Sequence, residues 1–127
     1  MAHKIREVYI VHHSHTDVGY TDLQEQVIYN QANNIRRAVE LIADGLEKGT
    51  NQKGLKCETW YCVEQFLKVA TKEEKKTFFD LVKKNSIGLS ANYLNFNDLA
   101  DCEYLTEKIH DMQEVCAEEG VTVKTAM

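Results

Sequence analysis

Proline is absent from this sequence, and glycine occurs only six times in 127 residues. A Pro- or Gly-rich linker is thereby excluded, and no internal repeat is present beyond the alternation of apolar patterns described below. No apolar run approaches the length a bilayer requires, and the start, Met1-Ala2-His3-Lys4, carries no apolar signal segment. No membrane partner is therefore expected, and the expected location is cytoplasmic. Positive charge is in deficit, with 15 Lys and Arg against 20 Asp and Glu and a net charge of -5. A nucleic-acid groove needs clustered Lys and Arg, so no nucleic-acid partner is expected either. Lys72, Lys75, Lys76, Lys83 and Lys84 do cluster, but they are interleaved with Glu73 and Glu74, which reads as a solvated helix face. Four cysteines, Cys57, Cys62, Cys102 and Cys116, contain no C-x-x-C pair and are expected to be reduced core or boundary residues rather than a zinc finger.

What is present is an ordinary globular composition, 43% hydrophobic and 28% charged, at one domain's length. A β-branched run at residues 8–11 leads into a histidine-rich loop. Ile35, Ala38, Val39, Ile42 and Leu46 then recur at steps of three and four, which predicts a helix over residues 24–48 started by Thr21 or Asp22 and ended by Gly49. A second strand is predicted from Leu55 to about Trp60. Val63, Phe66, Leu67 and Ala70 begin a second helical region, and Thr71 with Glu74 forms a capping box that restarts it through Phe78, Leu81 and Val82, with Asn85 as a left-handed stop. A third strand is expected over 87–91, then an amide- and aromatic-rich loop over 92–98. Leu105, Ile109, Met112 and Cys116 give a third helical stripe closed by Gly120, and residues 121–126 read as a fourth strand. The order βαβαβαβ predicts an α/β fold with a parallel sheet, in which the strand ends at His15 and Asp17, at residues 58–61 and at residues 92–95 converge on one rim.

The chemistry is concentrated in residues 12–21, His-His-Ser-His-Thr-Asp-Val-Gly-Tyr-Thr. Three imidazoles and a carboxylate lie within six residues, and on an extended chain His13, His15 and Asp17 point to one side. Neutral imidazole with carboxylate is an ordinary ligand set for catalytic zinc. The competing reading is a tag remnant or solvated strand end, against which stand the preceding strand pattern and the following Asp-x-Gly-aromatic.

His15-x-Asp17-x-Gly19-Tyr20 after a β-branched strand, followed by Glu58-Thr59-Trp60 and Glu64-Gln65-Phe66-Leu67, resembles the opening of the glycoside hydrolase family 38 α-mannosidases. The resemblance implies that the chain is the first half of a (β/α)7-type barrel, a single α/β domain over residues 1–127 that is the N-terminal part of a larger catalytic domain. It implies His15 and Asp17 as Zn2+ ligands, Tyr20 against the sugar ring, and a retaining hydrolysis of α-mannosidic bonds in a mannose-containing glycan. It also implies that the nucleophilic Asp stands just beyond Met127, so that no catalytic residue lies within the chain and the chain is inactive alone. Val18 replaces a frequent Pro of the family, and Tyr20 its usual Trp.

Further rim residues are assigned on chemistry. Glu58 is expected to orient a metal ligand, because a ligating imidazole usually donates its other N–H to a carboxylate or carbonyl; His13 is placed in the same supporting role. Trp60, Tyr93 and Asn95 are candidates for sugar binding beside Tyr20, with core packing as the competing reading for the aromatics; Asp98 is a further rim carboxylate. Two alternatives remain open: an amidohydrolase- or phosphoesterase-like metal hydrolase using His13 and His15, or a non-catalytic module that binds carbohydrate or a partner chain. A half barrel would leave an open strand edge, from which a homo-oligomer, or docking onto the remainder of the enzyme, is expected.

Overall fold

The computed structural model describes residues 5, 7–8, 12–15, 20–49, 54–94 and 101–126. In chain order the elements are β1 (His12–Ser14), α1 (Gln24–Glu47), β2 (Leu55–Cys57), α2 (Trp60–Val69), α3 (Lys72–Lys83), β3 (Ile87–Gly88) and α4 (Cys102–Glu118). The strands pair parallel in the order β1-β2-β3, with His12, Leu55 and Ile87 in one row and His13, Lys56 and Gly88 in the next.

The expected βαβαβαβ sheet, half of a (β/α)7-type barrel, is corrected by this architecture. The chain is mostly helical, and its described strands are only three, three and two residues long. Two departures account for the difference. The second strand stops at Cys57, and Trp60, read as a strand end, instead opens α2. Residues 121–126 form no ladder: Ala91 N–H donates to the Thr125 carbonyl at 2.8 Å, and the Thr125 hydroxyl donates to the Leu89 carbonyl at 2.8 Å. Val121 and Val123 are half-buried while Thr122 and Lys124 are exposed, so the period of two is present without strand pairing. That period reports which face a side chain takes, and it says nothing about whether the backbone finds a neighbour.

The observed helices follow the expected apolar stripes, but α1 is preceded by Leu23 at its N-cap, with no side-chain cap from the expected Thr21 or Asp22. Ile35, Val39 and Ile42 are buried along α1, although Leu46, assigned to the same stripe, is exposed. Thr71 caps α3 through a complete capping box: its hydroxyl accepts from Glu74 N–H at 3.2 Å, and the Glu74 carboxylate accepts from Thr71 N–H at 2.7 Å. Asn85 follows α3 with φ of 56°, a left-handed conformation that asparagine tolerates better than most residues. α1 packs on α2 and α3, and those two pack on β2 and β3. Phe66, Phe78, Val63, Ile87 and Met112 form the centre of one core cluster. All four cysteines are free thiols, Cys57 and Cys116 buried and Cys102 exposed. No helix among the described residues is long and apolar enough to cross a membrane.

Candidate metal and rim site

The site is built where β1 and β2 run out. His13 is in register with Lys56. Two residues further along each chain stand His15 and Glu58, and adjacent parallel strands in register bring such residues side by side. His15 Nδ1 lies 2.8 Å from Glu58 Oε1. An ionised carboxylate only accepts, so the imidazole is the donor and Nδ1 carries the hydrogen; in the neutral ring the lone pair is then on Nε2. The His15 side chain is 56% exposed and that of Glu58 15%, so the carboxylate forms the inner wall and the imidazole the outer.

α2 ties this corner to the segment after β3. The first N–H groups of a helix have no partner within it. Here Trp60 N–H donates to the Asn92 carbonyl at 2.8 Å and Tyr61 N–H to the Tyr93 carbonyl at 3.0 Å. Thr59, at the N-cap, is extended, and its hydroxyl donates to Cys62 Sγ at 3.4 Å. Residues 58–61 and 92–93 are thus joined by backbone bonds within a few residues of the His15–Glu58 contact.

The other anticipated site residues are distributed as follows. Tyr20 is 94% exposed. Trp60 is 3% exposed and belongs to the core cluster. Tyr93 is 6% exposed; its hydroxyl donates to Glu64 Oε2 at 3.0 Å, and its ring makes edge contacts with Tyr61 and Tyr104 at 5.8 and 6.0 Å between centroids. Asp17, Asn95 and Asp98 lie outside the described residues, and the side chain of His13 is likewise not described. The Glu64–Tyr93 bond was not anticipated. Its signal was Glu64 one helical turn beyond Trp60, on the helix whose start the Tyr93 carbonyl caps. Burial, followed by the hydrogen bonds to Tyr104 and Glu64, pushes the Tyr93 phenol well above its ordinary range, which keeps it a donor.

The donor set bears on whether a metal fits. Among the described residues no three His, Cys, Asp or Glu side chains converge. Burial, with a smaller contribution from Cys62, pushes the Cys57 thiol up to about 12, and burial raises Cys116 to about 11; a metal ligand must be a thiolate, so neither suits that role. Of the His15 and Asp17 pair, His15 is the member within the described residues, and its carboxylate-held Nδ1 is the arrangement common to ligating imidazoles. No known protein family, no curated protein and no solved structure matches the chain.

Proposed function

We propose that this chain carries the zinc-binding element of a retaining glycoside hydrolase of the α-mannosidase type, with His15 and Asp17 as ligands. The observation that supports the reading is the 2.8 Å contact of His15 Nδ1 with Glu58 Oε1, which supplies a second residue that fixes the imidazole's tautomer and orientation. Zinc bound there would hold two adjacent sugar hydroxyls and favour distortion of the ring toward an oxocarbenium-like state. Tyr20, almost fully exposed, is the aromatic this reading sets against the sugar; Trp60 and Tyr93 are assigned to packing because their rings are buried. Asn95 is retained as a hydroxyl-binding residue, His13 as a supporting one. The substrate class is a mannose-containing glycan, the compartment is reducing and cytoplasmic, in keeping with four free thiols, and self-association uses the exposed apolar residues Leu23 and Tyr29 around the start of α1, leaving Tyr20 to the sugar.

Zinc titration against a chromophoric chelator tests the reading. The unaltered chain is expected to bind one zinc, His15→Ala and Asp17→Ala to abolish binding, and Glu58→Gln to weaken it by ~10- to 100-fold, the usual cost of losing a ligand's orienting partner. Unchanged affinity in His15→Ala overturns the assignment. Loss confined to His13→Ala and His15→Ala, with Asp17→Ala intact, transfers the site to a His-x-His metal hydrolase.

A further inference from the structure

A second polar site lies at the β3 edge of the sheet, lined in part by Ile87, Leu89, Val121 and Val123, which belong to the core cluster or pack against it. A cleft of about 620 Å³ opens between β3 and residues 120–125, and Lys56, Lys83, Lys124, Asn85, Thr122 and Thr125 supply its polar lining. Among the described residues no carboxylate lines it, in a chain where acids outnumber bases by 20 to 15. Elsewhere among the described residues six cations lie within ion-pair distance of an acid, Lys48 with Asp44, Lys68 with Glu64, Lys76 with Asp80, Lys108 with Asp111, Arg36 with Glu74 and Arg37 with Glu40, while Lys72, Lys75 and Lys84 on and after α3 form no such pair but line no cleft with the three lysines here. In the cleft, Lys56 Nζ instead donates to the Thr125 hydroxyl at 3.4 Å. Lys83 is in the field of Asp80, whose carboxylate is bonded at 2.8 Å to Lys76.

Backbone features hold this cleft open. Gly88 is the register partner of Lys56, and a Cβ there would meet Lys56 Cγ at 3.7 Å, so the lysine stem lies over the bare glycine and its head reaches toward Thr125. Residues 121–126 touch the sheet at the Thr125 end, through the Ala91 N–H and the Leu89 carbonyl. At the other end, Asn85, which leads from α3 into β3, and Gly120, which leads from α4 into residues 121–126, both have positive φ, 56° and 67°. Three ammonium groups with hydroxyl and amide donors, and no competing acid in the lining, suit a ligand that carries several acceptor oxygens and more than one negative charge. The net charge of -5 does not forbid this, because at ~0.1 M salt the rest of the molecule is screened beyond about 10 Å.

We infer that the cleft between β3 and residues 120–125 binds a small soluble phosphoryl-bearing anion, gripped by Lys56 and Lys124 with Lys83 at its edge. The site is separate from the proposed zinc pair and independent of it. The probe is inorganic pyrophosphate, titrated into the full chain with amide chemical shifts as the readout. Saturable shifts are expected at Lys56, Gly88 and Thr125, and Lys56→Gln with Lys124→Gln is expected to weaken binding by about tenfold, each exposed charge contact contributing several-fold. The control Lys72→Gln with Lys75→Gln removes the same charge from α3 and is expected to change affinity by less than about twofold. No saturable shift, shifts scattered over the surface, or equal loss in the control pair each overturns the inference. Lys56-dependent sedimentation with phosphatidic acid vesicles in the absence of pyrophosphate binding overturns it too, by making the ligand a lipid surface.

Discussion

The two faces of the small sheet are built from alternate residues of the same short strands and differ in almost every physical respect. Toward the helices the strand positions are Leu55, Cys57, Ile87 and Leu89, the last three buried in the core cluster with Phe66 and Phe78. Toward the other side they are Lys56 and Gly88, with the Lys56 head group on Thr125. The difference teaches that in so small a sheet the helices, rather than strand pairing, supply the apolar partner, and the outward face is left to polar chemistry. Truncation should expose this division most sharply. Phe66, fully buried between α2 and α3, is expected to cost about 3–5 kcal/mol as Phe66→Ala, and Lys56→Gln to change stability by no more than ~0.5 kcal/mol. Urea unfolding monitored by far-UV circular dichroism measures both. Similar losses in the two variants would mean that Lys56 is part of the packing and the two faces are not divided in this way.

A smaller effect is expected where a polar group sits inside the apolar side. Tyr93→Phe removes the hydroxyl that donates to Glu64 Oε2 but leaves the ring against Tyr61 and Tyr104. Glu64 is not stranded, because Lys68 Nζ lies 3.2 Å away and the Gln65 amide donates to it at 3.1 Å. The cost should therefore be that of one ordinary hydrogen bond, about 1 kcal/mol, and not that of an orphaned buried carboxylate. A loss as large as that of Phe66→Ala in the same unfolding experiment would show that the bond anchors the segment after β3 to α2.

Why some of this was readable in the sequence and some was not follows from what each pattern encodes. Steps of three and four placed Ile35, Val39 and Ile42 on one buried line, and Thr71 with Glu74 located the break between α2 and α3, because both signals are local. The barrel half was misread because its evidence was not local. Val121 and Val123 do face inward, yet the partners a fourth strand needs are backbone groups on another segment, and among the described residues only Ala91 N–H and the Leu89 carbonyl are engaged, by Thr125. The strand expected from Leu55 to about Trp60 stops short because Trp60 begins a helix held by carbonyls of residues 92 and 93, far away in the chain. The expectation that Glu58 orients a ligand rests on the habit of ligating imidazoles to donate their second N–H to a carboxylate, and the His15 and Glu58 side chains are 2.8 Å apart. The carboxylate's effect on a metal is what Glu58→Gln measures, and Asp17 and Asn95 lie outside the described residues.

The smallest effect concerns polar residues that, unlike Lys56, are wired into a helix end. The Glu74 carboxyl is held below its ordinary 4.5, first by the Thr71 backbone N–H and then by Arg36, whose Nε donates to Glu74 Oε1 at 2.6 Å. A carboxyl whose folded value is depressed stabilises the fold at pH above its unfolded value, and that contribution is lost as pH falls through the folded value. Thr71→Ala should cost about 1 kcal/mol at neutral pH by removing the cap. Glu74→Gln should cost less, under about 1 kcal/mol, because its side chain is 28% exposed and water screens the Arg36 pair. The sign fixes the pH dependence: the gap between the unaltered chain and Glu74→Gln should be constant above the ordinary carboxyl value and close as the solution is acidified below it. Lys56→Gln, with no such bond to a carboxylate, should show no closing gap in the same acid series. A gap for Glu74→Gln that persists to about pH 2 would locate the contribution in packing of the side-chain stem and not in its charge.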